Sequence, residues 1–281
     1  MLKYSVSEGI YGQEPLEVSV ERIAQFGYDG VEIAGEPYSL KASVVQELLK
    51  ANGLEASSIC GDYTSERDLS NVDPIVRANA VRYVKDCVIF ASELGAQVVI
   101  VIPSSWCKTA NFTLLDEEWK LARESICEAG QFAAGLGIQL AIEALNRYET
   151  YLINNITQAL KLRDEVDLDN VGVMIDAFHM NIEERSIPEA IKKAAGNLIH
   201  VHIADSNREA AGFGHTDLRS LLQALLEIKY EGYIVMEFGL QSINSYLVSS
   251  PAAKDETLKL HTGQSINYMK KLHQELDETE T

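Results

Sequence analysis

Four residues in the second half of the chain have types and positions suited to shared chemistry. Glu143, Asp176, His202 and Glu237 each stand late in a short apolar run: QLAIEAL, VGVMIDAF, IHVHIADS and YIVMEF. Side chains of a strand alternate between its two faces. Leu140 and Ile142, Val173 and Ile175, Ile199 with Val201 and Ile203, and Ile234 with Met236 and Phe238 form the bulky faces. The four polar residues fall on the opposite faces, at similar heights. Three carboxylates do not stay ionised side by side without a compensating cation. Carboxylate oxygens with a single imidazole suit one divalent ion, Mn²⁺ first and Co²⁺ or Mg²⁺ next, over a thiolate-seeking metal. Any one of the four is explained by a hydrogen bond to a loop; agreement of all four in parity and height is not.

The elements that must position them recur along the whole chain. Eight β-branched runs predict strands over 3–7, 30–34, 54–61, 98–103, 139–145, 171–178, 199–206 and 233–238. Stretches with helical apolar spacing, such as 74–94 and 117–136, lie between them. Gly27, Gly53, Gly95, Gly137 and Gly232 precede strands, where a left-handed helix cap is expected. Strand–helix repeats with no linker predict an α/β fold, a single-domain (β/α)8 TIM barrel over 1–273, with an acidic, solvated tail over 274–281. An open doubly wound sheet is the alternative. It calls for a glycine-rich loop after the first strand, and SEGIYG does not supply one. In a barrel the strand ends that carry the four residues share one rim, with the bulky faces toward the helices and the polar faces inward.

Composition narrows the partners. A net charge of −18 disfavours nucleic acid and anionic membranes, both held through Lys and Arg, and suits a neutral small molecule. Cys60, Cys87, Cys107 and Cys127 form no paired motif and are expected as reduced thiols. The first residues lack the pattern of a signal peptide, and no apolar run reaches the roughly 20 residues that span a bilayer. A soluble, cytoplasmic protein is expected.

Other residues carry weaker signals. His179, three residues after Asp176, is placed to reach a substrate or to cap a loop. Arg208 could bond a substrate hydroxyl or pair with a ligand carboxylate. Glu32 has inward parity and is expected behind the ligands, while His200 is expected to fill an interior layer. His215 is expected to order a loop, and His261 and His273 to be ordinary helix residues. Trp106 and Tyr11 are candidate walls of a substrate pocket.

At IEALNRYETYLIN, IDAFHMNIEE, HVHIADSNR, GHTD and VMEF the sequence resembles the xylose isomerase-like barrels, within them the ketose 3-epimerases of the D-tagatose and D-psicose type. The resemblance implies that Glu143, Asp176, His202 and Glu237 ligate the metal and that Glu143 and Glu237 are also the catalytic acid–base pair. It gives His179, Arg208 and Glu149 substrate-binding or supporting roles, and implies a homodimer or homotetramer. A ketose held on the ion through its C2 and C3 oxygens has an acidified C3–H and a stabilised enediolate, so two glutamates can invert that centre. The stretches 54–82 and 238–250 depart from the hexulose epimerases where substrate ends are gripped. The same scaffold supports 1,2-isomerisation, or dehydration or isomerisation of an inosose or keto-acid. An endonuclease IV-like nuclease needs a zinc cluster with more histidines and a basic face, which six histidines and the charge of −18 argue against. A non-catalytic sugar-binding barrel leaves the Glu143–Glu237 pair without a purpose.

Overall fold

A computed structural model describes residues 2–239 and 251–279. Strands β1 (Lys3–Ser7), β2 (Gly30–Ala34), β3 (Glu55–Cys60), β4 (Val98–Val101), β5 (Gln139–Ile142), β6 (Val171–Asp176), β7 (Leu198–Ile203) and β8 (Tyr233–Met236) follow one another around a closed parallel barrel. β1 closes on β8, with Tyr4 opposite Ile234 and Val6 opposite Met236. The helices between them are α1 (Leu16–Gln25), α2 (Ala42–Ala51), α3 (Pro74–Leu94), α4 (Leu115–Ala134), α5 (Ile156–Val166), α6 (Ala177–Glu183), α7 (Ile187–Ala194) and α8 (Leu218–Glu227). A long α9 (Pro251–Thr279) follows β8. Among the described residues no helix is long and apolar enough to cross a membrane.

Local chemistry explains the boundaries. The Asp73 side chain accepts from Ile75 N–H ahead of Pro74, and α3 ends at left-handed Gly95. Asn155 and Gln158 form a reciprocal capping box on α5. Gly27, Gly53, Gly95 and Gly137 adopt positive φ as the caps require. Gly232 does not: Lys229 takes the left-handed turn before β8, and Gly232 is needed because a Cβ there would strike the Tyr230 ring.

The core has two layers. Leu140, Ile142, Val173, Ile175, Val201, Ile203, Ile234 and Met236 meet the helices in one large cluster. Val98, Ile100, Ala141 and Met174 fill the barrel interior. Ile199 departs from the expected alternation. The pairing of β6 with β7 slips between Val173 and Met174, so that Leu198 and His200 have partners and Ile199 has none. That bulge turns Ile199 against the interior cluster instead of toward the helices. The stretch expected to be a free acidic tail continues α9 through Thr279, with Leu276 buried and Glu275 paired with Arg219. Residues 240–250, most of the divergent stretch after Glu237, lie outside the described residues.

Candidate active site

The barrel brings the four residues to one rim. Glu143 and Glu237 stand one residue beyond β5 and β8, and their backbone N–H groups continue the ladder, to Val101 O at 3.0 Å and Ile203 O at 2.9 Å. Asp176 ends β6 and His202 lies opposite it on β7. Glu143, Asp176 and His202 each offer one ligand atom, all within 4.8 Å of one another and all buried. Glu237 Oε2 lies 3.4 Å from His202 Nδ1.

The donor set fits a divalent cation. Asp176 Oδ1 caps α6, accepting from Phe178 N–H at 2.7 Å and His179 N–H at 3.4 Å. Its Oδ2, like His202 Nδ1, is buried without a hydrogen-bond partner among the described residues. Leaving such atoms unsatisfied costs about 1–3 kcal/mol each. A cation among them answers both.

A second buried group stands behind the first. Glu32 Oε2, on β2, accepts from Ser58 Oγ at 2.7 Å, His200 Nε2 at 2.8 Å and His202 Nε2 at 3.0 Å. Glu32, His200 and His202 also satisfy the geometry of a metal-ligand trio. The 2.8–3.0 Å contacts are hydrogen-bond lengths, which N–H donors explain without an ion.

The protein's own charges push the two glutamates apart. Burial, reinforced by Glu237 and Asp176 against the pull of His202, holds the Glu143 carboxyl well above the ordinary carboxylate range. Burial also opposes ionisation of Glu237, but His202 and Arg208 outweigh it and draw that group down to about 2. For His202, burial is outweighed by Glu32 and Glu237, and the imidazole is raised well above its usual value.

The loops and the first turn of α6 supply the remaining groups. Arg208 Nη2 donates to Glu237 Oε2 at 2.9 Å. Its backbone is left-handed, φ 59°, a strained state for a long side chain. The loop holds it there: Arg208 N–H bonds Asp205 O, and Gly239 N–H bonds Arg208 O. Asp205 gathers the N–H groups of Ser206, Gly212 and Thr216, and His215 bonds Ser206, so GHTD orders this loop. His179 is buried, its Nδ1 accepting from the backbone and side-chain amides of Asn146 at 3.2 and 2.8 Å. Burial holds this imidazole below its usual value, so the neutral ring keeps its proton on Nε2, 3.4 Å from Arg208 Nη1. The same Asn146 amide donates to Glu149 at 2.8 Å, and Trp106 Nε1 donates to Glu149 at 3.1 Å.

Asn146 is the residue that sequence reasoning missed. Its signal was present, three residues before Glu149 in NRYE. Tyr11 is corrected: it is fully buried, with its hydroxyl on Thr262 of α9, and walls no pocket. His261 is also more than a plain helix residue, being buried against the rings of Phe213 and Phe238. Cys60 has its thiol pushed up by burial and takes no part among the ligands.

An eight-stranded parallel barrel with carboxylates and an imidazole converging at its C-terminal rim defines a class of metal-site TIM barrels. The chain belongs to the xylose isomerase-like TIM barrel family, whose model matches residues 20–270. It is 34% identical to a D-psicose 3-epimerase of Ruminiclostridium cellulolyticum, over 78% of this chain and 76% of that one. It is 31% identical to a 3-dehydro-D-guloside 4-epimerase of Escherichia coli, over 76% of this chain and 84% of the relative. Among solved structures, a D-psicose 3-epimerase with D-tagatose from Clostridium cellulolyticum superposes with a TM-score of 0.84 at 27% identity, covering 95% of this chain and 99% of that one.

Proposed function

We propose that this enzyme, a carbohydrate isomerase of the epimerase type like its relatives, inverts C3 of a free keto-sugar with Glu143 and Glu237 as its acid–base pair. One observation carries the proposal: two glutamates, Glu143 and Glu237, reach one buried imidazole, His202, from strands three places apart around the barrel. Glu143, Asp176, His202 and Glu237 would hold one divalent ion, Mn²⁺ by preference over Co²⁺ and Mg²⁺. When bound, that ion would polarise the ketone and offset the negative charge that develops beside it. One glutamate removes the proton beside the carbonyl, and the other returns a proton to the opposite face. His179, through its Nε2–H, and Arg208 donate to substrate oxygens. Glu149 and Trp106, joined by their hydrogen bond, receive the far end of the sugar. The working unit is proposed as a cytoplasmic homodimer or homotetramer without nucleic-acid or membrane partners.

The test is a panel of ketoses in D₂O, with the chain stripped of metal and reloaded with Mn²⁺, Co²⁺ or Mg²⁺ in turn. Deuterium at C3 with the carbonyl unmoved is expected. Migration of the carbonyl would instead mark a 1,2-isomerase, and no conversion of any ketose with any ion would sink the proposal. A second reading has a specific basis in the Escherichia coli relative, whose name describes inversion at C4 of a 3-keto glycoside. The same deprotonation beside a carbonyl serves that reaction, and deuterium at C4 of such a substrate would identify it.

A further inference from the structure

We infer that Glu32 is a positioning residue for the metal centre: it holds the proton of His202 on Nε2 and thereby turns the Nδ1 lone pair toward Glu143, Asp176 and Glu237. The inference rests on the proposed metal site for its purpose, but not for its geometry.

Glu32 reaches His202 from the far side of the barrel, across 170 residues of sequence, and is fully buried. An ionised carboxylate accepts hydrogen bonds and cannot donate them. Ser58 Oγ, His200 Nε2 and His202 Nε2 all converge on its Oε2 at 2.7–3.0 Å, so each of the three must bring a hydrogen. A neutral imidazole has one N–H. With that hydrogen committed to Glu32, the remaining lone pair of His202 lies on Nδ1, the atom left without a partner beside Glu237 Oε2.

The fold builds this support from several strands. The pairing of β2 with β3 slips between Val31 and Glu32, which sets Ser58 directly opposite Glu32. Ser57, the extra residue of that bulge, contacts Ser58 at 3.2 Å and Ser5 of β1 at 2.7 Å, carrying the polar chain across the barrel interior. The His200 ring stands edge-on to His202, centroids 5.0 Å apart at 70°. Carboxylate partners of this kind fix a ligand ring and raise its basicity; losing one typically weakens metal binding about 10–100-fold.

Two measurements on the full chain test the inference. The first is the ¹⁵N spectrum of His202 in the ion-free wild type, at a pH high enough for the ring to be neutral. A proton on Nε2 is expected, and a proton on Nδ1 overturns the inference. The second is calorimetric Mn²⁺ titration of Glu32→Gln and His200→Gln. The Glu32 variant must present an amide where three donors now meet one acceptor, and its Mn²⁺ affinity is expected to fall about 10–100-fold. His200→Gln keeps an N–H donor for Glu32 and is expected to stay within about threefold of wild type. Equal losses in both variants, or a Glu32→Gln affinity within threefold of wild type, would reduce Glu32 to a packing role. A wild type that takes up no Mn²⁺ refutes the metal site of the proposed function, while the spectrum still decides the tautomer.

Discussion

Arg208 donates from Nη2 to Glu237 Oε2 at 2.9 Å, and its Nη1 lies 3.7 Å from Asp176 Oδ2. The guanidinium therefore serves as the counter-charge to two carboxylates that also belong to the candidate metal set, and its own strained backbone is held there by the Asp205 loop. Removing it makes the cluster more negative. Arg208→Gln is expected to bind Mn²⁺ more tightly than wild type while ketose turnover drops about 100-fold, for loss of a charged donor to substrate. Isothermal titration set beside steady-state rates checks this, and weaker ion binding would show that Arg208 builds the site.

Glu143→Gln and Glu237→Gln each retain a ligand oxygen but cannot move a proton. At saturating Mn²⁺ each is expected to lose about 10²–10⁴ in kcat, the usual worth of a positioned acid or base. Deuterium incorporation at C3 should fall in parallel. Full turnover in either variant would remove that residue from the chemistry.

Chelation should be visible in stability. An ion that binds only the folded chain adds about 2.7 kcal/mol at a hundredfold excess over its Kd, equivalent to roughly 5–10 °C in Tm for a domain near this size. Thermal melts with EDTA and with Mn²⁺ measure the difference. Coincident melts would mean that the buried carboxylates are satisfied without an ion.

A pH prediction comes from the loops that carry Trp106 and Glu149. Lys108 Nζ lies buried between Asp68 at 2.8 Å and Glu118 at 2.7 Å, and Glu118 also accepts from Phe112 N–H, Thr113 N–H and Tyr151. Burial opposes its ionisation, but the bonds from Lys108 and Tyr151 prevail and hold Glu118 below its ordinary 4.5. A depressed carboxylate stabilises the fold above its unfolded pKa and loses that contribution as pH falls through the folded value. Glu118→Gln should cost about 3–5 kcal/mol near pH 7, as when one partner of a buried pair is removed. Urea melts should show this gap narrowing below pH 4.5 and closing under the folded pKa. A gap constant down to pH 3 would contradict the assignment.

Trp106 is 54% exposed at the mouth, and its indole N–H is fixed by Glu149. As a proposed wall of the substrate site, the ring would contribute to ground state and transition state alike. Trp106→Phe should raise KM about tenfold with kcat nearly unchanged. In a Trp119→Phe background, Trp106 fluorescence should change on ketose binding. A loss confined to kcat would place the ring in the chemistry instead.

The chain's own alternation determined a great deal. Eight β-branched runs separated by helical spacing define the barrel, and parity within β5 to β8 sent Glu143, Asp176, His202 and Glu237 inward to one rim. Both signals are local, set by a strand period of two residues and a helix period of 3.6. Tertiary structure decided what local period cannot encode. A bulge adds one residue to the count, so Ile199 turned inward and Ser58 came opposite Glu32. Tyr11 looked like a pocket wall until α9, some 250 residues on, covered it. Asn146 and His179 are 33 residues apart, and only the approach of the loop after β5 to α6 made one the holder of the other's tautomer. Likewise, parity brought Glu32 inside, but only barrel closure determined that it meets His202 rather than open interior. Such contacts depend on strand register and loop path, which the whole fold sets together and no single segment carries.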